Sequence, residues 1–431
     1  MKEPIELDNG HFEYEGVKYY LDVRIAYKIG ATEDQISLSM NHIEDLEMGV
    51  ALNRLHSDGF IIYDDPVGDI AKVLDVFEAR CVVNFTAFKE QRSGDFGDWV
   101  LDKDNQLTHA FIVDNIEIVS NTESSVKYCI YLVGAEYENL LNNARFNNYG
   151  GEKNRHLVDI VKEILVSSGG CEVDETFATA SGGIAMDYVS SGNDSVQTAL
   201  DYVLQKQFFY MDKVDTSMKF LTYDLLTGKY GIFQMGSTPS GNTYTFVLSM
   251  NNTTIGSFVS KGGVQLASNV KFRKTDALIP ISDIHMRRYD PATNTFVASS
   301  PVKSSELTRF FGGDRLVPQE NAGKRNIVRE ASEWDNDFNI YKDFVDLFMK
   351  CDSVILNAGG VISRKLMSTV LIKADNMVDP NSTTTKDAKK DMERYKQLQG
   401  AWYVTKIQYI IKANRGVFKQ NLTLSRNTNV Q

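Results

Sequence analysis

Residues Gly400 to Asn427 read GAWYVTKIQYIIKANRGVFKQNLTLSRN. Tyr403, Thr405, Ile407, Tyr409 and Ile411 alternate on one strand, then Asn414-Arg415-Gly416 turns, and Phe418, Gln420, Leu422 and Leu424 alternate on the way back. A period of two places successive side chains on opposite faces of a strand, and a Gly-containing turn between two such runs is the signature of a β-hairpin. The end of the chain is therefore expected to close a sheet with one row of large apolar side chains.

The same period appears upstream. Val126, Tyr128, Ile130 and Leu132 alternate with Lys127, Cys129, Tyr131 and Val133, and Phe111 to Val119 is a second strand joined to them by the polar turn Asn121 to Ser125. Phe60 to Tyr63 is a shorter strand that ends in Asp64-Asp65-Pro66 and Gly68. The period then changes. Leu157, Ile160, Val161, Ile164 and Leu165 follow helical spacing up to Gly169-Gly170. Val196, Ala199, Leu200, Val203 and Leu204 repeat it, with Asn193, Asp194 or Ser195 as N-cap. Between these helices, Cys171 to Gly192 reads as a loop or short β excursion. Strands return at Lys219–Tyr223, Gly231–Met235 and Tyr244–Met250. The interval from about 280 to 340 is polar and weakly patterned. Tyr341, Phe344, Val345, Phe348 and Met349 predict a third helix, and Asp375 to Lys390 predicts an exposed loop running into a charged helix.

Composition sets limits on function. A chain of 431 residues divides into two to four domains rather than one. Thirty glycines against eight prolines, with 20 Tyr and 23 Phe, is the mix of turn-rich β structure and points away from an all-helical chain. The net charge of -11 argues against a protein that grips phosphate backbones, which needs clustered Lys and Arg. The most basic stretch, Arg287 to Arg329, lacks interleaved aromatic platforms and is expected to meet an acidic partner subunit. Cys81, Cys129, Cys171 and Cys351 are far apart, which signals neither a zinc site nor a disulfide framework and suits a reducing compartment. The N-terminus has no signal-peptide pattern, and no apolar run of about 18 residues occurs, so membrane insertion is not expected.

Motifs for chemistry are sparse. The six histidines, His11, His42, His56, His109, His156 and His285, show no HxH, HExxH or HxxxH spacing, and they are expected to be satisfied or exposed rather than metal-binding. Gly169-Gly170 and Gly182-Gly183 lack the lysine or the strand context of a phosphate cradle and read as turns. Asp64, Asp65, Asp335 and Asp337 could pair as acid and base only across a cleft, and paired acids in loops are usually solvated. Asp95, Asp98, Asp102 and Asp104 lack the ordered ligand spacing of a calcium loop. Trp99, Trp334 and Trp402 suit core or interface packing, or a sugar-binding face. No catalytic residue, metal or cofactor is expected.

Two passages carry a family resemblance. The closing hairpin, from Gly400-Ala401-Trp402 through the return strand ending Leu422-Thr423-Leu424-Ser425-Arg426-Asn427, resembles that of tailed-bacteriophage baseplate (tail) hub proteins. Phe111 to Val119, Tyr128 to Val133, Glu136 to Leu141, Tyr149-Gly150-Gly151 and the helix through Ile164-Leu165 resemble the passage from the first hub barrel into its helical connection; the hub module of type VI secretion spike proteins is similar. The resemblance implies a β-rich α+β fold with two tube-type β-barrel domains, a small helical connecting module and an additional β/irregular region. Its expected division is 1–150 for the first tube-like barrel, 151–210 for the helical module, 211–335 for a β-rich region completing the barrels, and 336–431 for the last helix and closing hairpin of the second barrel.

The resemblance further implies a non-enzymatic virion protein of the tail and baseplate, assembled in the host bacterial cytoplasm. It would be a homotrimer that adapts the six-fold tail tube to a three-fold central spike carried on a separate chain. Its partners would be the tail tube protein ring, that spike protein and baseplate wedge proteins, and genomic DNA would cross its lumen without specific binding. Trp402, Tyr403, Phe418, Leu422, Leu424 and Arg426 are the residues it assigns to assembly. The competing reading is a β-rich carbohydrate-binding or cell-wall-degrading phage tail protein served by Trp99, Trp334 and the loop acids.

Overall fold

The structure, a computed structural model, describes residues 10–52, 54–76, 78–93, 96–144, 147–148, 157–179, 189–190, 192–204, 209–211, 218–234, 244–248, 264–274, 281–290, 292–298, 302–303, 325–331, 352–374 and 400–426. The helix expected over 341–349, the loop expected over 375–390, Trp334, Asp335, Asp337 and Cys351 lie outside them.

Eight strands come first: β1 (His11–Tyr14), β2 (Val17–Ile29), β3 (Thr32–Leu38), β4 (Ile43–Ala51), β5 (Asp58–Asp65), β6 (Ala79–Ser93), β7 (Phe96–Asn121) and β8 (Val126–Gly134). They pair in the order β1-β2-β6-β7-β8-β5-β4, with β3 also on β2. One row on each strand is buried: Tyr19, Leu21, Val23, Ile25 and Tyr27 on β2, Leu46, Met48 and Val50 on β4, Cys81, Val83 and Phe85 on β6. The sequence VKYYLDVRIAYKI of β2 carries this row at a period of two, so the sheet curls around one apolar face. The expected hairpin at Asn121 to Ser125 is present, although β7 starts at Phe96 and is much longer than its apolar core at 111–119 suggests.

The helical part is small. It holds α1 (Glu136–Leu141), the two-residue β9 (Asn147–Asn148), α2 (Leu157–Glu163) continued by a π turn over Ile164–Ser168, α3 (Thr176–Thr179), β10 (Val189–Ser190) and α4 (Val196–Val203). Both sequence-predicted helices are there. Val158, Ile160, Val161, Ile164 and Leu165 are buried against the main core, as are Val196, Ala199, Leu200, Val203 and Leu204. Ser195 caps α4, its Oγ accepting from the Thr198 amide at 3.0 Å, and Gly170 ends the first helix with φ +67. The interval expected to be loop holds α3, whose residue Phe177 is buried.

A meander follows, β11 (Phe209–Met211), β12 (Met218–Asp224) and β13 (Lys229–Gln234), and after it β14 (Tyr244–Leu248) and β15 (Val264–Lys274). The polar interval read as weakly patterned contains a separate sheet of β16 (Ile281–Asp290), β17 (Thr295–Ala298), β18 (Val302–Lys303) and β19 (Arg325–Ala331), which places Arg287, Arg288, Arg325 and Arg329 on strands. The last four strands are β20 (Asp352–Gly359), β21 (Thr369–Ala374), β22 (Gly400–Lys412) and β23 (Val417–Arg426). Six of these strands return upon themselves: β22 pairs β21, which pairs β14, then β15, β20, β23 and β22 again. That ring is a closed barrel with no free edge. β22 also pairs β4, so the curled first sheet and the closed ring form one continuous 14-stranded sheet. The architecture is the expected β-rich α+β fold with two tube-type barrels and a small helical module.

Candidate functional site

The closing hairpin is where the two barrels meet. Over Gly400–Tyr403, one edge of β22 pairs β21; over Lys406–Ile411, that edge pairs β4 instead. The other edge pairs β23 from Trp402 to Lys412, with a register shift between Val404 and Lys406. Thr405 is the point of exchange. The amide of Met367 donates to the Val404 carbonyl at 2.7 Å, and that of Leu52 donates to the Thr405 carbonyl at 2.8 Å. One extra residue in a strand sharpens its twist and re-aims its edge, which lets a single strand serve both barrels.

Of the residues assigned to assembly, Trp402, Phe418, Leu422 and Leu424 are 0% exposed and Tyr403 is 8% exposed. Arg426 ends β23 opposite Trp402. Phe418 packs edge-on to Tyr19 (5.2 Å between ring centres) and Phe85 (4.7 Å) and stacks with Tyr409 at 6.3 Å. Its row also holds Gln420, fully buried, whose amide clamps the 361–364 segment. Its Oε1 accepts from the Val361 amide at 3.2 Å and from Arg364 at 2.5 Å, and its Nε2 donates to the Val361 carbonyl at 2.8 Å. The Tyr409 hydroxyl donates to the Ile362 carbonyl at 3.0 Å. The polar position Gln420 within an apolar row was the sequence signal for this clamp.

A second buried polar cluster lies between the first sheet, α1 and the meander. His109 points inward from β7 between Leu107 and Phe111, and Glu136 opens α1. The Ser57 amide and hydroxyl donate to Glu136 Oε1 at 2.6 and 2.7 Å, while His109 Nε2 lies 2.8 Å from Ser57 Oγ and 3.2 Å from Glu136 Oε2. The Tyr223 ring stands edge-on to His109 at 6.2 Å, and the Tyr230 hydroxyl donates to the Leu55 carbonyl at 2.7 Å. Burial pushes the Glu136 carboxyl up, but the hydrogen bond and charge of His109 and the two Ser57 bonds outweigh it and hold the carboxyl below its ordinary value. Burial raises the Tyr223 and Tyr230 hydroxyls strongly. Serine, histidine and glutamate together suggest a nucleophile relay, but the geometry is not one. A relay needs serine and acid on different ring nitrogens, whereas here both address Nε2, and Ser57 is 0% exposed. The cluster is a structural junction that histidine spacing in the sequence did not reveal.

Two of the carboxylates considered for chemistry, Asp65 and Asp102, have structural employment. Asp65, 2% exposed, accepts from the backbone amides of Val67, Gly68, Asp69 and Ile70 at 2.8 to 3.3 Å and shapes the turn after β5. Asp102 accepts from Lys89 at 3.1 Å and from Asn105 at 2.6 Å. Among the described residues no group of three or more His, Cys, Asp or Glu could hold a metal ion, and no helix is long and apolar enough to cross a membrane. Cys81, Cys129 and Cys171 are buried free thiols; burial pushes Cys81 up to about 12, and burial followed by the Glu136 charge pushes Cys171 up to about 11.

These barrels, joined through one strand, make a fold shared with a solved tail protein. A tail protein from Neisseria meningitidis superimposes with a TM-score of 0.53 at 9% identity, over 94% of this chain and 97% of that one. The 43 kDa tail protein of prophage MuSo2 from Shewanella oneidensis gives 0.49 at 12% identity, over 94% and 98%. A prophage tail protein from Listeria monocytogenes gives 0.46 at 9% identity, over 95% and 96%. At these identities the likeness is one of fold. No protein-family model matches the sequence, and no curated protein matches it.

Proposed function

We propose that this chain is a structural hub of a phage-type tail, a homotrimer that adapts a six-fold tube ring to a three-fold spike on a separate chain. The observation that carries the proposal is the pairing of two barrels through β22: one chain with two tube-type barrels lets three copies present six similar units. The fold shared with a tail protein supports the same reading. In this proposal the domains divide at 150, 210 and 335, baseplate wedge proteins surround the hub, and DNA crosses a lumen that the net charge of -11 keeps non-adhesive. The protein works in the virion and needs no active site. Because Trp402, Tyr403, Phe418, Leu422 and Leu424 are buried, they serve assembly by holding the barrels together rather than by touching a neighbour.

Light scattering over a concentration series tests this. A species of about 146 kDa, three times 48.5 kDa, is expected; a monomer that persists at all concentrations and does not join tube rings would overturn it. Deleting Trp402 to Asn427 is expected to unfold the last barrel and abolish assembly, and a soluble, assembly-competent truncation would refute that role.

A further inference from the structure

The outer face of the first sheet carries a groove of about 330 Å³ where β22, β4, β5 and β8 run side by side. Gly49 opens it: it stands between Gln408 of β22 and Asp58 of β5, and a Cβ there would lie 2.8 Å from the Ile407 carbonyl. Phe60 and Tyr131, direct cross-strand partners, supply an aromatic wall, and Tyr131 is 37% exposed. Glu47, Asp58 and Asp114 line the same groove, as does Lys406. Glu47 accepts from the Gln408 amide, Asp58 is paired with Arg54, and the Tyr131 hydroxyl donates to Glu117 at 3.1 Å. Glu47, Asp58, Asp114 and Glu117 against Arg54 and Lys406 leave the balance negative. Burial, followed by the charge of Asp45, holds the Glu47 carboxyl above its ordinary value, which a further cation beside it would relieve. Aromatic rings among carboxylates suit a guanidinium, which stacks on the one and pairs with the other.

The same chain carries the complement. On the separate sheet, Arg288 stands opposite Val297 of β17, and Met286, two residues back on β16, stands opposite Arg329 of β19. Register thus places Arg288, Arg329 and Val297 on one face. The opposite face sets Arg287 beside Glu330 and is closer to neutral. Residues 292–297 are all exposed, Val297 by 52%, and Asp290 fixes the hairpin tip by accepting from the Ala292 amide and the Thr293 hydroxyl, each at 2.9 Å. A net charge of -11 makes whole copies of the chain repel, so a contact between copies needs a local match of opposite sign.

We propose that the Arg288, Arg329 and Val297 face of one copy docks in the Phe60–Tyr131 groove of a second copy. Patch and groove are different surfaces, so the contact is head-to-tail and closes into a ring. The proposal rests on the homotrimer reading and names the contact that builds it. Light scattering of the full chain and its charge-reversed variants tests it. At low salt, Asp114→Arg and Arg288→Glu should each raise the dissociation constant of the oligomer about tenfold or more, and the double variant should recover most of the wild-type affinity, a rescue that a merely structural role does not give. A second measurement does not depend on whether Asp114→Arg folds. Zero-length carbodiimide cross-linking of Arg288→Lys, with isotope-labelled and unlabelled copies mixed, should join the 281–290 peptide of one copy to the Glu47, Asp58 or Asp114 peptide of another. Unchanged oligomer affinity in both single variants, or loss in both without rescue, together with no such cross-link, would overturn the inference and leave the hub reading standing. A wild-type chain that stays monomeric at all concentrations and joins no tube ring would overturn both.

Discussion

Truncating Phe418 to Ala removes the ring at the point where the chain's two ends share a core. The side chain is 0% exposed, and its walls are the rings of Tyr19 on β2, Phe85 on β6 and Tyr409 on β22. The backbone closes in as well, since a Cβ at Gly360 would lie 2.1 Å from the Phe418 ring. A buried Phe to Ala change costs about 3–5 kcal/mol, part from lost transfer energy and part from the cavity left behind. The upper end is expected, because four strands and a loop that are already hydrogen-bonded cannot collapse into the gap and because two edge-on ring pairs, each worth about 0.5–1.5 kcal/mol beyond burial, disappear together. Urea unfolding followed in parallel by far-UV circular dichroism and tryptophan fluorescence reads the loss. Phe418→Leu, which keeps most of the volume, should recover more than half of it. A loss below about 1 kcal/mol for the Ala variant would refute the claim that this ring knits the hairpin to the first sheet, since surface substitutions fall in that range.

Further expectations follow from other named residues. Glu136 titrates below its ordinary value of 4.5 in the folded chain, so its contribution is fully present above that pH and is lost as pH falls through the lower folded value; acid unfolding curves of wild type should steepen below pH 4.5, and those of Glu136→Gln should be flatter there. Asp65→Asn weakens a charged acceptor of four amides and should cost about 1.5–3 kcal/mol in urea unfolding. Gly59→Ala would set a Cβ 2.3 Å from the Glu47 carbonyl, a backbone atom that cannot swing aside, and should lower stability by about 1–3 kcal/mol by the same assay. Cys81, buried with its thiol pushed up to about 12, should resist alkylation at pH 8 until the chain unfolds, as followed by peptide mass spectrometry.

What the sequence discloses here is its periodicity. The hairpin at 400–427, the β7–β8 turn and the two short helices were readable because apolar side chains recur at a period of two or 3.6 and because Gly416 and Gly170 take left-handed backbone where a turn needs it. The strand β16 was not readable, since ISDIHMRRYD breaks its alternation with charge and its pairing with β19 is parallel and distant. Of the hairpin side chains named for assembly, Phe418, Leu422 and Leu424 share one buried face of β23, but alternation tells which residues share a face and cannot tell whether that face meets a neighbour or the protein's own core. Ser57, His109 and Glu136 were invisible as a group, because 52 residues separate Ser57 from His109 and 79 separate Ser57 from Glu136, and only folding brings their polar atoms together.

β22 completes a sheet that begins near residue 11, and Gln408 reaches Glu47 across 361 positions of chain. On a ribosome the first sheet is made early, yet its β4 edge stays without its strand partner until β22, some 361 positions further on, has been synthesised. That edge is a row of unpaired backbone groups beside an apolar face, and for the whole of translation it is a template for any other extended chain. Contacts this far apart in sequence also form slowly, since a long loop must close before they repay it. The yield of native protein should therefore depend on how well the waiting edge is shielded until β22 arrives, and a truncation that removes β22 leaves that edge open.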